Sequence, residues 1–99
     1  MSSFTPVPIG PGVSFSNVQP SVNTAFFDMT PGYCVATFQP VDRNNPGTAT
    51  LYDRAGNAVL TFDREGYENY YVAVPTTYYF SATSGANLLA LTYPTIGFR

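Results

Sequence analysis

Short runs of alternating apolar and polar residues, each closed by Gly, Pro, Asn or Asp, dominate the chain from residue 33 onward. Tyr33 to Gln39, Thr48 to Tyr52, Ala58 to Phe62, Tyr67 to Val74, Thr77 to Thr83 and Leu88 to Tyr93 have strand lengths and are rich in β-branched and aromatic residues. Alternation puts Tyr78, Phe80 and Ala82 on one face of their strand, against Thr77, Tyr79, Ser81 and Thr83 on the other. In the last strand Leu89, Leu91 and Tyr93 oppose Leu88, Ala90 and Thr92. No window sustains a 3.6-residue period, and Pro or Gly interrupts nearly every window of ten. The pattern predicts an all-β chain.

Turn chemistry agrees. Asp53-Arg54-Ala55-Gly56-Asn57 lies between two strand signals and predicts a hairpin. Asp-Arg occurs at residues 42, 53 and 63, twice as Asp-Arg-x-Gly, so turns recur about every ten residues and predict a meandering antiparallel sheet. At these turns Asp accepts local backbone hydrogen bonds, Gly supplies positive φ, and Arg is solvated at the tip.

The N-terminal part is different. Residues 1–30 hold Pro6, Pro8, Pro11 and Pro20 with Gly10 and Gly12, and isolated apolar residues Phe4, Val7, Ile9, Val13 and Phe15. Proline has no amide hydrogen, so Thr5 to Gly12 is expected to be extended without forming an internal ladder strand. Val13 to Ser16 and Ala25 to Met29 read as short edge strands. The predicted architecture is one antiparallel β-sandwich, jelly-roll-like, of seven or eight short strands. It divides into an extended arm with edge strand at 1–30 and the sandwich at 31–99.

Charge changes the picture. Of 99 residues only ten are charged, four Arg and six acids, with no His or Trp and every basic residue an Arg. A soluble domain usually carries about 25% charged side chains. Missing His removes the imidazole base and ligand, and missing Lys removes the P-loop ammonium and the Schiff base. A net charge of -2 lacks the basic stripe that nucleic acid requires. No apolar run reaches the length of a membrane helix, and no basic segment followed by an apolar one marks the N-terminus as a signal peptide. The single cysteine, Cys34, reads as a small buried hydrophobe.

The remaining chemistry is thin. Asp63, Glu65 and Glu68 sit on or beside a turn, where solvation gives no raised pKa for general acid work. Neither they nor Asp42 with Asn44 and Asn45 match a calcium loop. The chain is therefore expected to be no enzyme, with no cofactor, no catalytic residue and no metal site.

The charges are also segregated. Eight of the ten lie between residues 42 and 68, and the stretches 1–27 and 69–98 have none. Protein interfaces are depleted in Lys, Asp and Glu and enriched in Tyr and Phe. Neutral outer thirds with a charged middle block as the solvent-facing edge predict a subunit that lives assembled, as a homo-oligomer or with a protein partner. The expected interface residues are Phe4, Val7, Ile9, Val13 and Phe15 of the arm, Tyr71 and Tyr79 among the tyrosines forced outward, and Ile96 and Phe98 of the neutral tail. The alternative is a carbohydrate-binding sandwich that lays exposed Tyr71 and Tyr79 against a glycan.

The neutral Pro/Gly-rich arm (Phe4 to Gly12) followed by a compact sandwich with the hairpin Thr48 to Leu60 resembles the small all-β virion proteins of tailed bacteriophages. These are capsid cement or decoration subunits and the β-domains of tail and fibre parts. The resemblance is one of layout over the whole chain and transfers no residue by motif. It implies a non-enzymatic subunit, often a trimer, that bridges and stabilises neighbouring capsid or other virion subunits. It also implies assembly into the virion in the host cytoplasm, with no membrane and no nucleic acid as partner.

Overall fold

The computed structural model describes the backbone of residues 6–8, 12–73, 76–93 and 95–98, and the side chains of 12–73 and 76–93. Its strands are β1 (Pro6–Pro8), β2 (Val13–Val18), β3 (Phe27–Met29), β4 (Gly32–Pro40) and β5 (Ala49–Asp53). They continue as β6 (Ala58–Phe62), β7 (Gly66–Val72), β8 (Thr76–Ala82), β9 (Ala86–Thr92) and β10 (Thr95–Phe98). Two antiparallel sheets of four carry the fold: sheet I in the order β2-β9-β4-β7, and sheet II in the order β3-β8-β5-β6. The chain is an all-β sandwich, as its alternation predicts.

The pairing is nested. β5 pairs with β6, β4 with β7, β3 with β8 and β2 with β9, and β1 with β10 continues the series as a separate two-stranded ribbon. Eight strands so wrapped into two sheets form a jelly roll. The expected meander is thereby corrected. Of consecutive strands only β5 and β6 pair; the other links cross between sheets or lead into the ribbon. Regular turn spacing measures strand length and says nothing about which strand lies alongside.

Residues 13–29, within the span read as an arm, contribute one edge strand to each sheet, β2 in sheet I and β3 in sheet II. Pro6–Pro8 also forms a strand, short and paired only with β10, with Val7 opposite Gly97 between the two prolines. Two residues without an amide hydrogen suit such a peripheral ribbon better than a sheet interior.

The inner faces of the sheets make the core. Phe38, Phe80, Leu51, Leu89, Leu91, Val72 and Cys34 are fully buried. A side chain of this size contributes about 1.5–3 kcal/mol when taken out of water. Phe80 sits at the centre of an aromatic group, stacked on Phe27 at 5.6 Å and edge-on to Phe15 at 6.4 Å. Tyr78 is a polar member of the core, 2% exposed, and its hydroxyl meets that of Tyr70 at 3.1 Å. Burial, with the Tyr70 hydroxyl adding to it, pushes the Tyr78 phenol well above its ordinary pKa.

Most of the charges collect at the loops. The β4–β5 loop and the β8–β9 turn are joined by the Thr48 amide donating to Thr83 Oγ1 and the Thr83 amide donating to the Thr48 carbonyl. Arg43 reaches Glu65 of the β6–β7 turn at 2.9 Å, so Asp42, Arg43, Asp63, Arg64 and Glu65 share one end of the sandwich. Asp53 and Arg54 belong to the hairpin at the other end. There the Asn57 amide donates to Asp53 Oδ1 at 2.9 Å and Gly56 takes φ of 88°. Backbone donation from Asn44 to Asp42, and from Asn57 to Asp53, holds both carboxyls below the ordinary aspartate pKa. Asp does at these two turns what the sequence predicts.

Candidate interaction face

Sheet I turns one face to solvent, and register defines it. Tyr33, Val35, Thr37 and Gln39 of β4 alternate with buried Cys34, Ala36, Phe38 and Pro40. Tyr33 lies opposite Tyr71, Val35 opposite Asn69 and Thr37 opposite Tyr67 across the β4–β7 ladder. On the other side Val35, Thr37 and Gln39 face Thr92, Ala90 and Leu88, and these last two face Ser14 and Ser16 of β2. Side chains of opposed residues project to the same side, so these twelve positions form one outer face. None is charged.

Three tyrosines stand up from this face. Tyr67 is 74% exposed, Tyr33 62% and Tyr71 52%. Tyr33 and Tyr71 pack together with ring centroids 4.7 Å apart. An exposed tyrosine offers a broad apolar ring and a polar tip with little conformational entropy to lose, which suits a surface that binds.

The outer face of sheet II is less uniform. Tyr79 and Ser81 of β8 pair with Tyr52 and Thr50 of β5, and Thr77 pairs with Asp28 of β3 and donates to its carboxylate at 2.7 Å. Tyr79 stacks on Tyr52 at 5.0 Å, and Phe26, 64% exposed, closes on it edge-on at 5.3 Å. Tyr79 is therefore half-buried between neighbours of its own chain.

A groove of about 420 Å³ runs between the two sheets on the open side of the sandwich, bounded by Tyr70 and Tyr71 of β7, Tyr78 of β8, Val59 of β6 and the turn residues Asp53 and Arg54. Among the described residues no three of Cys, Asp and Glu come together in a way that could hold a metal ion. Glu65 is engaged by Arg43 and is apart from that groove. Burial pushes the Cys34 thiol up, against a smaller opposing effect of the Tyr93 hydroxyl. A thiol so placed, 1% exposed, is packing material rather than a nucleophile.

The expected interface residues separate into three groups. Tyr71 lies on the neutral face, beside Tyr33 and Tyr67, and Tyr79 on the opposite one. Val13 and Phe15 are partly buried on β2 and pack against the core, Phe15 at 5.6 Å from Phe27. Phe4 and Ile9 lie outside the described residues, and of Val7, Ile96 and Phe98 the structure describes the strand backbone.

Sequence reasoning passed over Tyr33, Val35, Thr37 and Tyr67. Their signal was present, since the alternation of 33–39 already separates Tyr33, Val35 and Thr37 from Cys34, Ala36 and Phe38. What was lacking was the partner strand that gathers Tyr67 and Tyr71 beside them. No family model matches the chain, and no curated protein or solved structure matches it.

Proposed function

We propose that the chain is a non-enzymatic subunit of a larger protein assembly, and that the assembly is a virion in which it bridges neighbouring capsid subunits as a cement or decoration protein. One observation carries the reading: the twelve uncharged outer positions of sheet I, with Tyr33, Tyr67 and Tyr71 exposed on them. A monomer of this size would ordinarily interleave charges on such a surface and place Lys at its edges. The virion part rests on the layout of a neutral arm and sandwich, and on the frequency of jelly rolls among viral capsid domains.

Val35 stands near the middle of the face, between Thr92 and Asn69, and is half-buried in the free chain. Val35→Arg puts an unpaired charge where the partner would exclude water. Quantitative mass spectrometry of purified particles from the genome that encodes the chain is expected to find the wild-type protein in stoichiometric amount and the Val35→Arg protein depleted at least tenfold. Particles without the wild-type chain would refute the virion reading. Capsid and portal genes beside the coding sequence are the expected genomic context.

A second reading is favoured by the groove. Tyr71 forms one wall, and Asp53 and Arg54 supply a carboxylate and a guanidinium at its end, a combination that suits a sugar ring. A glycan array tests it: binding lost in Tyr71→Ala and kept in Tyr79→Ala supports this reading, and a blank array removes it.

A further inference from the structure

Sheets I and II have four open edges, and three are guarded. β3 is three residues long. β6 is five residues long, and its register against β5 shifts between Leu51 and Tyr52. β2 carries Asn17 in the left-handed region at φ of 55°, and its ladder with β9 skips that residue. Short length, bulges and irregular backbone are the devices that keep sheet edges from pairing with other chains.

β7 has none of them. Its seven residues, Gly66 to Val72, pair with β4 in seven consecutive registers without a shift, and they include no Pro, Lys or Arg and a single charge, Glu68. Among the described residues no strand pairs with the other side of its backbone, and Tyr67, Glu68, Asn69 and Tyr71 are exposed. A long, regular edge with one charge is a template for another strand in a register that keeps that charge from meeting its like.

We infer that β7 pairs antiparallel with β7 of a second copy of this chain, about a two-fold axis through Asn69, joining two sheets I into one continuous eight-stranded sheet. The sequence Gly66-Tyr67-Glu68-Asn69-Tyr70-Tyr71-Val72 selects that register. Centred on Asn69, it sets Tyr67 opposite Tyr71 of the second copy, twice, and Glu68 opposite Tyr70. The Tyr33–Tyr71 contact then extends into a row of aromatics across the axis. Shifting the centre to Glu68 would bring two carboxylates directly opposite, and shifting it to Tyr70 would leave Tyr67 without a partner. The inference deepens the reading of the chain as an assembly subunit and rests on it, naming the partner at one edge.

The full chain tests it. Sedimentation is expected to show a concentration-dependent dimer, or a larger oligomer built from it. Asn69→Arg places like charges face to face on the axis and is expected to weaken self-association at least tenfold, while leaving the circular dichroism of the folded chain unchanged because position 69 is exposed. Cysteine cross-linking reads the register, since the native Cys34 is buried. Asn69→Cys alone should form a disulfide-linked dimer under mild oxidation, and Tyr67→Cys mixed with Tyr71→Cys should form a heterodimer. Glu68→Cys alone should cross-link poorly. A wild-type monomer, an oligomer indifferent to Asn69→Arg, or preferential cross-linking of Glu68→Cys would each overturn the inference. Loss of particle attachment in Val35→Arg together with dimers indifferent to Asn69→Arg would leave the assembly reading standing without this edge.

Discussion

Phe80 and Phe26 are the same residue type in two environments only a strand apart, and replacing each with alanine separates core from surface. Phe80 is fully buried, stacked on Phe27 and edge-on to Phe15. Truncation there loses the transfer free energy of the ring and leaves a cavity, a combination that costs about 3–5 kcal/mol. A domain of this length holds about 5–15 kcal/mol in total and shifts its midpoint by about 4–8 °C per kcal/mol. Phe80→Ala is therefore expected to lower Tm by about 12–40 °C and to leave a marginal fold. Phe26 is 64% exposed and touches Tyr79 edge-on, a pair worth about 0.5–1.5 kcal/mol. Phe26→Ala should shift Tm by no more than about 12 °C. Calorimetry, or near-ultraviolet circular dichroism of the tyrosines, reads both midpoints. Equal shifts, or a larger one for Phe26→Ala, would refute the assignment of Phe80 to the centre of the sandwich.

Other outcomes follow from single sites. Gly47 adopts φ of 66°, and a Cβ there would lie 2.6 Å from Thr83 Oγ1 and Ser84 Oγ, so Gly47→Ala should lower stability by about 1–3 kcal/mol in denaturant titration. Asp53 has its carboxyl pKa lowered by the Asn57 amide, so its stabilising effect is full above the ordinary aspartate range and fades as pH falls through the lowered value. The stability gap between wild type and Asp53→Ala should accordingly be present at pH 7 and close in acid. Tyr78 has a raised phenol pKa, so its contribution is full below the ordinary tyrosine value and is lost as pH rises past about 10, where the unfolded chain ionises first. In ultraviolet titration Tyr78→Phe should remove a phenol that ionises only together with alkaline unfolding; a Tyr78 that titrates in the folded protein with the exposed tyrosines contradicts its burial.

Alternation made much of the fold legible. Ala58 to Phe62 is β6 as expected, and β4, β5, β7, β8 and β9 depart from expectation by one or two residues where their ends are described. The faces of β8 and β9 also follow: Tyr78, Phe80, Ala82, Leu89, Leu91 and Tyr93 are buried. A two-residue period reports which side of a strand meets the core. It carries no information on the neighbouring strand, so the pairing of β4 with both β7 and β9 was out of reach. The neutral face needed that pairing, because Tyr33 and Tyr71 are 38 positions apart in sequence and adjacent only through β4 and β7. Phe15 shows the same limit. Its apolar character fits an interface or a core equally, and only the β2–β9 ladder turns it inward.

The nested pairing has a mechanical consequence. Tension applied across β1 and β10 reaches each strand pair at its end, so the ribbon opens first and β2–β9 is next to be peeled, one hydrogen-bonded rung at a time. Peeling loads rungs singly, whereas shear along a ladder loads them together. A lattice that strains this molecule through its terminal ribbon would open it gradually. Strain entering through the face of sheet I would instead meet four strands at once.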